Sequence, residues 1–91
     1  MSFIQVPSVG GIVHYIMDEG NHKGEHRPAI ITHVWSNTCV QLTVFTDWSN
    51  DINGSCGILW RTSVLQNEGD VNPKSLGSWH WPEFVPPKTL V

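Results

Sequence analysis

Residues 39–46 show the cleanest two-residue periodicity in the chain, and this pattern limits the folds open to it. Val40, Leu42 and Val44 fall on one face of an extended segment, while the other face carries glutamine and threonine. Successive side chains of a strand point to opposite faces of a sheet, so this alternation predicts a β-strand. The chain must therefore contain a sheet into which the strand fits.

Four further segments favour strands, at residues 12–17, 29–35, 57–65 and 76–81. The first two carry apolar, β-branched and aromatic residues on both faces, which favours a central position in a sheet or barrel. A tight turn at residues 36–38 predicts a hairpin between the strands on either side of it. Glycine- and asparagine-rich loops separate the segments, and no helical period extends beyond about two turns. We therefore predict an all-β fold, a small single-domain barrel or sandwich of about five to six strands.

A chain of 91 residues has the length of one small domain. We assign residues 1–91 to a single β domain, with residues 1–9 as an N-terminal arm or edge strand and residues 84–91 as an extended tail. Cys39 and Cys56 are the only cysteines. We expect both to be reduced and buried, because a free cysteine behaves as a small hydrophobic residue.

Charge and hydropathy exclude two classes of partner. The net charge is −3 with only five lysines and arginines, which argues against a protein that tracks the phosphates of a nucleic-acid duplex. No apolar run approaches the ~18 residues of a membrane-spanning helix, so we expect no membrane partner and a cytoplasmic location. Charged residues make up only 14% of the chain, which favours self-association, and we expect a homo-oligomer.

Metal binding has little support in the spacing of the ligand-type residues. Five histidines and two cysteines are present, but no zinc-binding spacing occurs, so a zinc site would have to be assembled from distant strands. Residues 47–54 alternate like the start of a calcium-binding loop, yet Ile58 stands where the bidentate glutamate belongs. A hydrogen-bonded turn is the better interpretation of that loop. We expect no metal and no cofactor.

Catalysis by a nucleophile also lacks a sequence signature. Ser63, Ser78 and Cys39 are available, but none lies in a Gly-x-Ser-x-Gly motif or a local Cys–His pattern. A histidine paired with Asp47, Asp51 or Glu83 could act as a general acid and base, and only geometry decides this. We therefore predict that the protein is not an enzyme, with a small hydrolase as an open alternative.

The segment Gly77-Ser78-Trp79-His80-Trp81-Pro82-Glu83 concentrates aromatic and polar side chains near the C-terminus. In a strand Trp79 and Trp81 share one face and His80 lies on the other, and Pro82 ends the ladder. We expect the tryptophans of a small barrel to fill its core in most cases. Trp48 is the exception, because it stands among polar loop residues.

A pocket for a nucleotide-like ligand is the site that these residues favour most. Arg27 could grip a phosphate, Tyr15 and exposed tryptophans could stack on a base, and loop carboxylates could accept hydrogen bonds from ribose hydroxyls. The predicted ligand-binding residues are Tyr15, His14, Arg27, Asp47, Trp48, Asn50, Asp51, Trp79, His80, Trp81 and Glu83.

Four segments together resemble a known group of sequences. They are Val13-His14-Tyr15, residues 27–30, Val44-Phe45 with the loop at residues 47–51, and residues 77–83. Over residues 11–84 this pattern is similar to a family of small, uncharacterised proteins encoded by tailed bacteriophages and prophages. The segment Trp79-His80-Trp81-Pro82-Glu83 is its most specific part.

The resemblance implies a genomic setting rather than a mechanism. Small phage accessory proteins often counter bacterial immunity, so we expect a protein in the cytoplasm of the infected host that binds and sequesters a nucleotide-derived immune signal without turnover. An interaction module that inhibits a host defence protein, or that serves a virion or replication role, is the main alternative.

Overall fold

One antiparallel sheet of five strands makes up most of the structure. The computed structural model describes residues 5–52, 56–67 and 75–82. The elements are β1 (Ile12–Ile16), β2 (His26–Val34), β3 (Cys39–Phe45), α1 (Trp48–Asp51), β4 (Ile58–Leu65) and β5 (Trp79–His80). The strand order across the sheet is β4-β3-β2-β1-β5, so the predicted all-β fold is confirmed.

The sheet curls into a half-barrel whose two edges approach each other at one end. There Gln66, which follows β4, forms an isolated bridge with Trp79 of β5. The Asn67 backbone N–H donates to the Trp79 carbonyl at 2.8 Å, and the Trp79 indole donates to the Thr38 carbonyl at 3.0 Å. These bonds attach the short last strand to the end of β4 and to the turn before β3.

The core fills the inner face of the half-barrel. Val40, Leu42 and Val44 are all buried, so the alternation in β3 predicts the buried face correctly. The predicted hairpin between β2 and β3 is also present. The remaining buried apolar residues of the core cluster are Val13, Tyr15, Met17, Ala29, Ile31, Val64 and Trp79.

Two strands differ from their predicted course for identifiable reasons. β2 begins three residues earlier than expected and includes Pro28, which has no N–H to donate. The ladder tolerates it because pairing of β2 with β3 begins only at Ala29. In β4 the register shifts opposite Gln41, and Ser63 adopts a φ of 53°, as in a β-bulge. The bulge returns Val64 to the inner face, where it is buried.

The C-terminal strand and the loop after β3 also need correction. β5 has two residues rather than the six predicted. The loop predicted at residues 47–55 contains the single helical turn α1. No helix in the described parts of the chain has the length and apolar character needed to cross a membrane. The tail at residues 84–91 and the start of the arm at residues 1–4 lie outside the described residues; the described part of the arm forms no strand.

The tryptophans divide between the core and the surface. Trp79 is fully buried and Trp81 packs partly against it, but Trp35, Trp48 and Trp60 are exposed. Core burial was therefore the wrong expectation for Trp35 and Trp60, whereas Trp48, the predicted exception to core burial, does lie outside the core. Both cysteines are free; Cys39 is half-buried and Cys56 is exposed, so the predicted burial of Cys56 is wrong.

Candidate functional site

A buried carboxylate joins the loop after β1 to α1 and β2. Asp51 is fully buried, and its carboxylate accepts four hydrogen bonds. Arg27 donates to it from Nε and Nη2, both at 2.7 Å, the His22 Nδ1 donates at 2.8 Å, and the Asp47 backbone N–H donates at 2.7 Å. We call these four residues the Asp51 anchor. The bonds hold three separate segments together at one end of the half-barrel.

The charges of the Asp51 anchor neutralise each other. The Arg27 guanidinium holds the pKa of Asp51 well below its usual range, against the opposing effect of burial, with help from the Asp47 N–H and His22. The hydrogen bond to Asp51 in turn raises the pKa of Arg27. Both groups therefore stay ionised, and two of the four hydrogen bonds to the Asp51 carboxylate come from Arg27.

The Asp51 anchor changes the roles expected of two predicted ligand contacts. Asp51 is sealed from solvent, so an external ligand does not reach it in this conformation. Arg27 also donates from Nη1 to the His26 carbonyl at 2.9 Å and lies 3.6 Å from Glu25. Asp51 is thus a structural residue here, and most of the Arg27 fork is already engaged.

The core accounts for three more of the predicted contacts. Tyr15 is buried, its hydroxyl accepts a hydrogen bond from Arg61 Nε at 3.2 Å, and burial raises the pKa of that hydroxyl. Trp79 is buried and Trp81 lies edge-on against it, with ring centroids 5.2 Å apart. These rings face the interior rather than a ligand. Glu83 lies outside the described residues.

An open cleft of about 570 Å³ lies beside the Asp51 anchor. Of the predicted ligand-binding residues, Arg27 and Asp47 line it, and the exposed α1 residues Trp48 and Asn50 follow Asp47 directly in the chain. Phe45, which was not predicted as a contact, presents a partly exposed ring at the end of β3. The full lining comprises His22, Glu25, His26, Arg27, Pro28, Phe45, Thr46 and Asp47.

Three histidines from three strands meet on the outer face of the sheet. His14 of β1 lies directly opposite His80 of β5, and His26 opens β2 across from Ile16. Paired residues share a face, so all three project away from the core, on the side opposite Tyr15 and Trp79. One ring nitrogen from each histidine lies within 4.8 Å of the others. We call His14, His26 and His80 the histidine cluster.

Hydrogen bonds determine the orientation of the buried member of the histidine cluster. His80 Nδ1 is 2.8 Å from the Trp81 carbonyl, which can only accept, so Nδ1 carries the proton. In the neutral ring Nε2 then has a lone pair, and it lies 3.1 Å from His26 Nδ1. His26 therefore donates to His80. The three rings are steeply inclined to one another, with centroids 4.7 to 5.9 Å apart.

Sequence reasoning identified two members of the histidine cluster and missed the third. His14 and His80 were predicted as ligand contacts, but His26 was assigned to a polar loop. The only signal for His26 was its position two residues before Pro28, which becomes informative once β2 is known to begin there. The sequence required that any zinc site be assembled from distant strands. The sheet brings His14, His26 and His80 together from three strands.

Two of the other groups considered from the sequence are engaged in hydrogen bonds within the protein. In the loop that alternates like a calcium-binding loop, the Asp51 carboxylate is bonded to Arg27 and His22. The Ser78 hydroxyl donates to the Ser75 carbonyl and accepts from Asn67, so it is held in the backbone closure. A His–Asp pair does exist, between His22 and Asp51.

Comparisons with known proteins add no assignment. The chain gives no significant match to any protein-family model, curated protein or solved structure. The fold and site therefore define only a class: a small antiparallel half-barrel with an open cleft and a histidine cluster at the same end.

Proposed function

We propose that this protein binds a nucleotide-derived small molecule in the cleft and releases it unchanged. In the phage setting that the sequence resemblance implies, it would sequester a bacterial immune signal in the cytoplasm of the infected host. The observation that carries the proposal is the composition of the cleft, where an exposed aromatic ring, an arginine, two histidines and two carboxylates line one opening.

Each component of such a ligand has a matching group in the cleft. The Phe45 ring offers a stacking surface for a base. The N–H groups of Arg27 that are not bonded to Asp51 or to the His26 carbonyl can donate to phosphate. The Asp47 carboxylate can accept from sugar hydroxyls, and about 570 Å³ lies within the usual range of small-molecule sites.

Thermal unfolding against a panel of cyclic and ADP-ribose-derived nucleotides tests the proposal. A ligand that binds only the folded state raises the midpoint of unfolding. Phe45→Ala should abolish the shift, whereas Trp35→Ala should retain it, because Trp35 is an exposed aromatic residue outside the cleft. Absence of a shift with every nucleotide would overturn the proposal.

Recovery of the ligand, intact or cleaved, distinguishes a protein that only binds it from an enzyme that hydrolyses it. His22 donates Nδ1–H to Asp51, which leaves Nε2 as a base at the cleft. A ligand recovered intact from denatured complex supports sequestration. A cleaved ligand, with cleavage lost in His22→Ala, would instead support the small hydrolase.

The outer face of the sheet favours a second candidate function, self-association. Among the residues of β1 to β5 the only lysine, arginine, aspartate or glutamate side chains are Arg27 and Arg61, and both pair with core residues of the inner face. A row of paired residues crosses the outer face from Ile12 through Ile30 to Trp60, with Ile12 and Trp60 exposed.

A sheet face whose strands carry no lysine, arginine, aspartate or glutamate side chain is compatible with a second copy of itself in a two-fold dimer. Light scattering should show that Trp60→Ser reduces the molecular mass in solution while Trp48→Ser, an exposed tryptophan on α1, does not. A monomeric wild-type protein would exclude the homo-oligomer. In that case the same face would remain available for a host defence protein.

A further inference from the structure

We propose that His14, His26 and His80 form a binding site for a divalent transition metal ion, with Zn²⁺ the best-suited ion. The site goes beyond the proposed nucleotide binding and does not depend on it. Three imidazole nitrogens converge within 4.8 Å, although the residues are separated by 12 and 54 positions in the chain. The register of β1 with β2 and β5 is what brings them together.

His80 already has the orientation of a metal ligand. Metal-bound histidines usually donate their second ring N–H to a carboxylate or a backbone carbonyl, which fixes the ring and its tautomer. The His80 Nδ1–H donates to the Trp81 carbonyl at 2.8 Å, so the Nε2 lone pair is directed into the histidine cluster. His80 is only 5% exposed, and this bond accounts for its fixed direction.

The remaining distances require only a local adjustment. Tetrahedral Zn²⁺ with Zn–N bonds of about 2.0 Å holds its nitrogens about 3.3 Å apart. His26 Nδ1 and His80 Nε2 lie 3.1 Å apart, which is close to that spacing. A metal ion between these two nitrogens would take the place of the hydrogen-bonding proton. That proton would move from Nδ1 to Nε2 of the His26 ring. Because His26 is exposed at the first position of β2, its ring has room to turn.

The ligand set selects the class of ion. All three donors are imidazole nitrogens, which suit Zn²⁺, Cu²⁺, Ni²⁺ or Co²⁺, whereas Mg²⁺ and Ca²⁺ prefer oxygen ligands. The three histidines supply three of the four ligands of a tetrahedral ion. His26 also lines the cleft, so an ion can enter from that side.

A purely structural role for the histidine cluster is the competing explanation. In that case the His26–His80 hydrogen bond would contribute to packing, and added metal would bind no more tightly than it does to any surface histidine. His33 provides a control for this comparison, because it is exposed, contacts Trp35 and is not a member of the histidine cluster.

Zinc titration of the full chain, purified without a histidine tag and stripped with a chelator, tests the site. Competition with a chromophoric chelator should give one Zn²⁺ per chain. His26→Gln and His14→Gln should each weaken binding by about a hundredfold or more, since loss of outer-shell partners alone costs about 10 to 100 fold. His33→Gln should leave the affinity within about threefold of wild type. An equal loss in this control variant, or no stoichiometric binding, would overturn the proposal.

Nitrogen NMR of the imidazole rings gives a readout that a folding defect does not imitate. On addition of Zn²⁺ the Nε2 resonance of His80 should move to a metal-bound shift while Nδ1 keeps its proton. Unchanged His80 resonances in the presence of saturating Zn²⁺ would contradict the proposal. Far-UV circular dichroism in chelator shows whether each variant is folded before it is titrated. Nucleotide panels run with and without Zn²⁺ keep this result separate from the failure or success of the nucleotide proposal.

Discussion

The Asp51 anchor and the histidine cluster lie at the same end of the half-barrel, but they differ in how their polar groups are satisfied. In the Asp51 anchor a buried carboxylate meets a guanidinium, a histidine and a backbone N–H, so opposite charges are matched within the protein. In the histidine cluster three imidazole rings meet one another on the outer face of the sheet. The first arrangement matches opposite charges, whereas the second brings together three nitrogen ligands, which suit the metal ion proposed above.

Neighbouring residues of β2 supply the two sites. His26 and Arg27 point to opposite faces of the sheet, as successive residues of a strand must. His26 joins the histidine cluster on the outer face and Arg27 joins the Asp51 anchor on the inner side. The contrast teaches that ionisable residues adjacent in sequence can have separate roles, one in stability and one in binding.

The largest expected effect on stability comes from a substitution that breaks the Asp51 anchor. Asp51→Asn removes the negative charge that Arg27 and His22 surround, and loss of one partner of a buried ion pair costs about 3 to 5 kcal/mol. Urea unfolding should show this loss. His26→Gln in the presence of chelator should change the free energy of unfolding by less than about 1 kcal/mol. Comparable losses in both variants would show that the histidine cluster is also a main source of stability.

Acid should weaken the Asp51 anchor specifically. The pKa of Asp51 in the folded protein lies below its value in the unfolded chain, near 3.9. Its contribution to stability is therefore complete above that pH and decreases as the pH falls toward the folded-state pKa. Urea midpoints measured on acidification below about pH 4 should fall more steeply in the wild type than in Asp51→Asn. Parallel slopes would assign acid sensitivity to other carboxylates.

A glycine pair tests how closely the loop after β1 packs on the Asp51 anchor. Gly20 has a φ of +92°, and a Cβ there would overlap the Asp51 carbonyl oxygen. Gly24 has a φ of +94°, but among the described residues a Cβ there meets no atom closer than 3.9 Å. Gly20→Ala should cost about 2 kcal/mol or more, and Gly24→Ala only the conformational strain of about 1 kcal/mol. Equal unfolding midpoints would show that the loop is not held against α1.

The smallest expected effect concerns the start of α1. Trp48 has a φ of 48°, which is unfavourable for a residue with a side chain, and its ring is 65% exposed. Trp48→Gly relieves that strain and Trp48→Ala does not, so the glycine variant should be more stable by about 1 kcal/mol. Thermal unfolding of the two variants measures the difference. A more stable alanine variant would mean that the strain is absent in solution.

Local sequence patterns predicted the parts of the fold that depend on local periodicity. The alternation in β3, the hairpin with β2 and the opposite faces of Trp79 and His80 follow from the two-residue period of a strand. Exposure of Trp48 follows from its polar neighbours. The bulge at Ser63 could not be predicted, because it depends on the partner strand.

The composition of the two polar sites depends on strand register, which the sequence does not state. Burial of Asp51 arises because α1 folds back onto Arg27, 24 residues away. Inclusion of His26 in a strand requires a place for Pro28 where no ladder N–H is needed. Only then does His26 come within reach of His80. The side chains in these sites were visible in the sequence, but their partners were not.

His26 is common to the wall of the cleft and to the histidine cluster. If a nucleotide occupies the cleft and a metal ion occupies the cluster, the two equilibria share this side chain. Thermodynamic linkage then requires that metal change the affinity for the nucleotide by the same factor by which the nucleotide changes the affinity for metal. The availability of metal in the cell would thereby set how much of the signal the protein retains.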